Sequence, residues 1–137
     1  MTAWHTNGNE GREYRYDKGV LHGACTDWYE NGVKKQEFGM VKGKKDGIAS
    51  LWHENGNKYR VLEWKQDVQT GEFRFWYENG GREEESTWVD GKVDGLLLSW
   101  HENGKKAAKQ TWEMGARVKA KCWNEKGKAF ECPPPPE

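Results

Sequence analysis

Aliphatic residues are scarce in this sequence, and no stretch of it is continuously apolar. Leu, Ile, Val and Phe together account for 19 of the 137 residues, a share that is usual in disordered chains. The longest aliphatic run, Leu96 to Leu98, is far shorter than the roughly 18 apolar residues of a membrane-spanning helix. A transmembrane helix is therefore excluded, and contact with a membrane is not expected.

An excess of charge of either sign is also absent. The 22 Lys and Arg residues balance the 22 Asp and Glu residues, so the composition predicts neither a basic footprint for nucleic acid nor an acidic tail. Nine Trp and five Tyr residues supply the apolar surface that the aliphatic residues do not. Because no net charge expands the chain, we expect it to fold on its aromatic residues.

Cysteine is too rare for a disulfide scaffold, and no CxxC pair indicates a zinc site. A bond between Cys122 and Cys132 would close a short C-terminal loop and leave Cys25 unpaired. A reduced compartment is the simpler interpretation of three thiols. The first residues contain no basic and apolar leader, so we expect a cytoplasmic protein.

The sequence does contain a repeat of 24 residues. Each unit opens with Trp, then Tyr or His, and then Glu-Asn-Gly in all but the first and last units. A second aromatic residue follows twelve places after most opening tryptophans, and a pair of glycines ends most units. The units start at Trp4, Trp28, Trp52, Trp76 and Trp100, with a truncated sixth unit at Trp123.

Each unit is predicted to be a β-hairpin. Asn-Gly between two segments of strand length indicates a type I′ turn, in which both residues take a positive φ, and the glycine pair then leads into the next hairpin. Glycines recur too often for any helix of three turns. The predicted fold is all-β: an elongated single-layer antiparallel sheet of five consecutive hairpins and a truncated sixth, over residues 4–127, with a Pro-rich tail at 128–137.

The strand alternation predicts which side chains share a face of this sheet. With a two-residue turn, the Tyr or His after each opening Trp lies on the same face as residues such as Leu62 and Trp64. The opening tryptophans then lie on the opposite face. A one-residue bulge in the turn would reverse this assignment.

The phrase Trp-Tyr-Glu-Asn-Gly at 76–80, followed by Trp88 and by Asp-Gly-Lys-Val-Asp-Gly at 90–95, resembles the variant form of the MORN (membrane occupation and recognition nexus) repeat. More narrowly, it is similar to bacterial MORN-variant hairpin proteins described as antitoxins. The resemblance extends from Trp4 to about Gly127 and implies a twisted single-layer sheet without catalytic residues that binds other proteins. Asp67 and Lys119 depart from the pattern by replacing turn glycines, so we expect less regular stacking in the third and fifth units.

The sequence does not predict a metal site or a catalytic site, because the residues that could form one are not expected to lie close together in the sheet. His5, His53 and His101 are each four strands apart, roughly 19 Å, whereas zinc ligands converge at about 2 Å. His22 and Cys25 are close in sequence, but no third residue is there to orient them as a catalytic pair. We therefore expect no enzyme activity, no metal and no cofactor.

The predicted function is a repeat scaffold for protein–protein interaction, in the form of antitoxin-like binding of a partner protein. The candidate binding residues are six rings on the predicted aromatic face: Tyr29, His53, Tyr77, His101, Trp64 and Trp88. The alternative is a module that binds carbohydrate or a cell-surface ligand, because aromatic ladders also stack on sugar rings. The edge of the first unit, Trp4 to Tyr16, is expected to pair with a partner strand or a second copy, with Glu13 in the middle of that edge.

Overall fold

The computed structural model describes residues 2–4, 6, 8 and 10–135, and every regular element among them is a β-strand. The strands are β1 (Thr2–Trp4), β2 (Glu10–Glu13), β3 (Tyr16–Asp17), β4 (Val20–Leu21), β5 (Gly23–Trp28), β6 (Lys34–Val41), β7 (Lys44–Lys45), β8 (Gly47–Trp52), β9 (Lys58–Lys65), β10 (Val68–Trp76), β11 (Arg82–Val89), β12 (Lys92–Trp100), β13 (Lys106–Glu113), β14 (Ala116–Trp123) and β15 (Ala129–Phe130).

The predicted antiparallel sheet is confirmed. Its strands are ordered β1-β2-β5-β6-β8-β9-β10-β11-β12-β13-β14-β15, with β7 paired to β6 and a small separate ladder formed by β3 and β4. Strands that meet at an Asn-Gly turn are always neighbours, as in the pair β8–β9. The described residues contain no helix long and apolar enough to cross a membrane.

The prediction of type I′ turns at Asn-Gly is wrong. In the turn after Trp52, Gly56 donates to the His53 carbonyl and the His53 amide donates to Asn57. Only Gly56 is left-handed there, with φ 90°. This is a type I turn followed by a glycine bulge. Asn55 contributes through its side chain and not through a positive φ. Its Oδ1 accepts from the Asn57 amide at 2.9 Å, and its Nδ2 donates to the Glu78 carbonyl at 2.8 Å.

Type I′ turns occur at the other edge of the sheet, where one hairpin leads into the next. Two consecutive residues have a positive φ at each of these connections. In the last four of these five turns, the second residue donates its amide to a carbonyl 22 residues earlier, beside the preceding turn: Gly43 to Leu21, Asp67 to Lys45, Gly91 to Gln69 and Gly115 to Val93. Asp67 preserves this bond at 2.9 Å, so the expected irregularity of the third unit does not occur in its turn.

The second glycine of each pair bends the sheet. Gly95 has φ 102°, and around it the pairing of β11 with β12 shifts from Trp88↔Val93 to Ser86↔Leu97, which inserts two extra residues in β12. The fifth unit has Lys119 at the equivalent place, and there the pairing of β13 with β14 shifts by a single residue. Lys119 has no positive φ, so the irregularity here is one residue smaller, but the Gly115 amide still bonds to the Val93 carbonyl at 2.8 Å and His101 to the Trp123 carbonyl at 2.7 Å. The less regular stacking expected of this unit is therefore not seen at either edge of the sheet.

The two faces of the sheet differ in burial. One, here called the buried face, carries almost all of the buried side chains: Cys25, Asp27, Met40, Ala49, Ser86, Val93, Ala108 and Cys122. The opposite side, the open face, carries exposed Ile48 and Leu96. Ala49↔Leu62 and Gly47↔Trp64 are cross-strand pairs, so Leu62 and Trp64 lie on the buried face. The turn bulge does not reverse this register, because a second irregularity beside Trp52 compensates for it.

The two ends of the sheet are built differently. Glu13 pairs with both Thr2 and Thr26, so it lies inside the ladder, and the prediction that it sits on an edge is wrong. At the other end, β15 is only two residues long, and a disulfide joins Cys122 to Cys132. From the sequence, this disulfide was one of two interpretations, and three reduced thiols were the other.

Met114 offers a test of the turn assignment, because it is the first residue of a type I′ turn with φ 44°. Asn tolerates the left-handed region better than Met does, so Met114→Asn should raise the free energy of unfolding by about 0.5 to 1 kcal/mol. Met114→Val should lower it, since a β-branched residue resists positive φ. Urea unfolding followed by tryptophan fluorescence measures both changes, and equal stability of the two variants would contradict the assignment.

Candidate functional site

The rings that follow the opening tryptophans hold successive units together. Each half-buried ring reaches the backbone carbonyl of the next unit's tryptophan. The four bonds are Tyr29 Oη to Trp52 O at 2.7 Å, His53 Nε2 to Trp76 O at 3.1 Å, Tyr77 Oη to Trp100 O at 2.7 Å and His101 Nε2 to Trp123 O at 2.7 Å. Tyr and His are interchangeable at this position because both carry a donor at the far end of a flat ring.

The predicted residue Trp64 lines a cavity of about 260 Å³ on the buried face, together with Phe38, Leu51 and Leu62. The Lys45 ammonium lies 4.8 Å from the centre of the Trp64 ring. The cavity therefore has apolar walls and a cation at its rim.

A second cavity, of about 360 Å³, lies further along the sheet and is lined by Phe73, Phe75, Tyr77 and His101, among others. Arg60 lines both cavities. We call the two cavities together the groove. It brings together three of the six predicted rings, Trp64, Tyr77 and His101.

The other predicted rings lie outside the lining of the groove. Trp88 contacts the groove only through Phe73, with the two ring centres 6.5 Å apart, and its indole donates to Ser86 Oγ at 3.0 Å. His53 contacts Tyr59, with ring centres 4.6 Å apart. Tyr29 lines a separate cavity near the Asn31 turn.

Arg60 is the residue that sequence reasoning missed. Its guanidinium carbon lies 4.7 Å from the centre of the Tyr59 ring and 4.5 Å from that of Phe75, and Nη2 donates to Tyr59 Oη at 3.1 Å. Its Nε is buried and has no hydrogen-bond partner in the described part of the protein. The equivalent residues in the neighbouring units are Gln36 and Glu84, so the repeat pattern gave no signal at this position.

Carboxylates line the groove opposite this cation. Burial raises the pKa of Glu84, the negative charge of Glu83 raises it further, and Arg60 opposes both effects. Burial also raises the pKa of Glu83. The groove thus combines apolar walls with two cations that lie over rings, Arg60 and Lys45, and two carboxyl groups whose pKa is raised by burial.

A separate polar cluster surrounds the buried carboxylate of Asp27, which is 6% exposed. Arg12 Nε donates to it at 3.0 Å, Tyr14 Oη at 2.8 Å, and Gln36 Nε2 through a third bond. Burial alone would raise the pKa of Asp27, but these hydrogen bonds outweigh it and hold the pKa below its ordinary value. Burial and the bond to Asp27 raise the pKa of Tyr14 to about 12.

The residues considered for metal binding or catalysis do not form such a site within the described part of the chain. Within the described residues, no group of three or more His, Cys, Asp and Glu side chains is arranged to hold a metal ion, and His5 lies outside those residues. Cys25 is buried with its thiol directed to the Gly23 carbonyl. His22 is exposed and accepts from the Lys42 amide at 3.2 Å.

The fold defines a repeat protein of stacked β-hairpins, and a comparison with protein families specifies the repeat. Residues 21–39, 69–90 and 93–114 match the model of the MORN repeat variant. The last two matches each contain a hairpin with its Asn-Gly turn, so these parts of the chain are similar to the MORN repeat variant in hairpin as well as in sequence. No curated protein matches the chain.

The bond from Tyr77 to Trp100 gives a test of the structural role of the Tyr and His rings. Tyr77→Phe should lower the free energy of unfolding by about 1 kcal/mol, because it leaves a partly buried carbonyl without its donor. Tyr16→Phe is the matched control, since Tyr16 is half exposed and its stability effect should be close to zero. Equal effects in thermal unfolding would contradict the role assigned to Tyr77.

Acid unfolding tests the Asp27 cluster. A lowered pKa in the folded state makes the contribution of Asp27 fully present above about pH 4 and lost as the pH falls through the folded pKa. Asp27→Asn presents a donor where Tyr14 and Gln36 need an acceptor, so it should cost roughly 1 to 2 kcal/mol at pH 7 and flatten the acid dependence.

Urea unfolding at several values between pH 3 and pH 7 measures this dependence, with Asp17→Asn at an exposed position as the control. If the two variants show the same slope of stability against pH, the cluster does not govern the acid response.

Proposed function

We propose that this protein is a non-enzymatic scaffold that binds another protein through the groove on its buried face. The observation that carries the proposal is the stacked guanidinium of Arg60 at the junction of two apolar cavities. Trp, Tyr and Arg are the residues that contribute most to the binding energy of protein interfaces. MORN repeats are binding modules, which is compatible with a scaffold that has no catalytic residues.

A polypeptide ligand suits the chemistry of the groove. Its walls are apolar, and both signs of charge lie within it, so a partner segment with alternating apolar and charged side chains finds a complement to each. Because Arg60 is already held against the two contacting rings of Tyr59 and Phe75, little side-chain freedom is lost when a partner binds.

Carbohydrate is the less favoured ligand because several ring faces are already covered. Lys34 lies over Trp52 at 5.9 Å, Lys45 over Trp64 at 4.8 Å and Arg82 over Trp100 at 4.3 Å, measured to the ring centres. A sugar that stacked on these faces would have to displace a cation. Carbohydrate binding remains the alternative for the experiment to decide.

The finer proposal is that the partner is a toxin protein, in line with the resemblance to MORN-variant proteins described as antitoxins. We also propose a cytoplasmic location. The Cys122–Cys132 disulfide is the observation that weighs against it, since disulfides persist mainly in oxidising compartments.

Substitutions in the groove test the proposal. Arg60→Ala and Trp64→Ala should each weaken binding of the partner at least tenfold, because each removes a large preorganised contact. Proteins from the source organism are captured on the tagged chain and identified by mass spectrometry, and the purified partner is then titrated by calorimetry. Ile48→Ala, at a position 64% exposed on the open face, is the matched control and should bind as the original protein does.

Each outcome separates the candidate functions. A captured protein that Arg60→Ala and Ile48→Ala bind equally would overturn the groove as the site. Binding of polysaccharide that depends on Trp64 would favour the carbohydrate alternative. If the partner is a toxin, co-expression with the original chain restores growth of cells that express it, and co-expression with Arg60→Ala does not.

A further inference from the structure

The outer edge of β14 has unpaired backbone over most of its length. This strand runs from Ala116 to Trp123, but β15 pairs only with Cys122 and Trp123. Residues 116–121 have no strand neighbour on that side within the described part of the chain. Six residues of strand correspond to about 20 Å of open edge.

The direction of the backbone groups on this edge follows from the adjoining turn. The Asn124 amide donates to the Lys128 carbonyl at 2.8 Å, across the turn between β14 and β15. Hydrogen-bonding groups along a strand point to alternate sides, so those of Cys122 and Ala120 point outward, away from β13. An incoming strand would therefore continue the ladder that β15 starts.

The charges around this edge are mostly positive, and no ion pair among the described residues neutralises them. Residues 104–128 contain only two acidic side chains, Glu113 and Glu125. They contain eight basic ones: Lys105, Lys106, Lys109, Arg117, Lys119, Lys121, Lys126 and Lys128. All the ion pairs found in the described residues lie between Arg12 and Glu85, outside this segment.

The lysines are arranged on the open face beside the edge. Lys121 lies directly opposite Lys109 across the strands, and Lys119 lies opposite Thr111. Two like charges directly opposite each other destabilise a sheet, and a carboxylate beside them would relieve that repulsion. The positive charges also oppose pairing of this edge with the same edge of a second copy.

We propose that the outer edge of β14 accepts an extended acidic segment of a partner protein as an added strand. Alternate residues of that segment are acidic and lie on the open face beside Lys119 and Lys121. The residues between them are apolar and extend the buried face beyond Ala120. Backbone hydrogen bonds provide the register, and the lysines select the charge. This site is separate from the groove.

A labelled ten-residue peptide of alternating Glu and Val is the probe, and fluorescence anisotropy measures its binding. Ala120→Pro removes the outward amide without removing a bond to β13, so it should weaken binding at least tenfold. Ala120→Val keeps the amide and should bind within twofold of the original protein. Arg60→Ala, in the groove, should bind the peptide unchanged, which separates this site from the proposed function.

The charge requirement is tested with the same peptide. Replacing both Lys119 and Lys121 with Ala should weaken binding about five- to tenfold at low salt, and raising the salt should weaken binding to the original protein more than to this variant. A peptide of alternating Lys and Val should not bind. Equal binding of the acidic and basic peptides would overturn the proposal.

Amide exchange on the unmodified protein keeps the test independent of any substitution. Saturating acidic peptide should slow exchange of the Ala120 amide at least tenfold. Unchanged exchange, or equal binding by folded Ala120→Pro and Ala120→Val proteins, would show that the edge does not accept a strand. A dimer that forms through this edge and persists in saturating peptide would overturn the acidic segment as its occupant.

Discussion

A single-layer sheet has no second layer to cover its core, and contacts between successive hairpins replace that layer. At one edge, ring and amide side chains reach carbonyls 22 or 23 residues further along the chain, as Tyr29 does to Trp52 and Asn55 to Glu78. At the other edge, each type I′ turn after the first donates to a carbonyl 22 residues earlier, as Gly91 does to Gln69. Both sets of bonds recur once per repeat and join neighbouring units, so each unit is held at its two ends by its neighbours.

The bonds between units explain why some aromatic rings have a structural role and others do not. Rings at the turn edge end in a donor and are committed to the next unit, as His53 is to Trp76. Rings in the body of the sheet, such as Trp64 and Phe75, line the groove without such a bond, whereas Tyr77 and His101 both bond to the next unit and line the groove. The rings that bond successive units together and the rings that line the groove thus lie on the same face and share Tyr77 and His101.

Residues that depart from the repeat pattern give single units properties that the other units lack. Arg60 and Glu84 occupy the place of Gln36 in their own units, and together they give the groove its charge. Lys119 replaces a bending glycine, and it lies in the strand whose outer edge has unpaired backbone. Function in a repeat protein is therefore to be sought in residues that the repeat does not predict.

The sequence by itself determined the hairpins, their number and their register, because the spacing of tryptophan and glycine reflects local rules of strand alternation and turn formation. It predicted the face of Leu62 and Trp64 for the same reason. It assigned the type I′ turns to the wrong edge, because Asn-Gly satisfies two different turns and the choice depends on a bond from Asn55 to the next unit.

Only the tertiary structure decided three features: the packing of Arg60 against the rings of Tyr59 and Phe75, the Cys122–Cys132 disulfide and the open edge of β14. Each depends on which atoms of separate strands come within a few ångströms, and a repeat pattern carries no such distances.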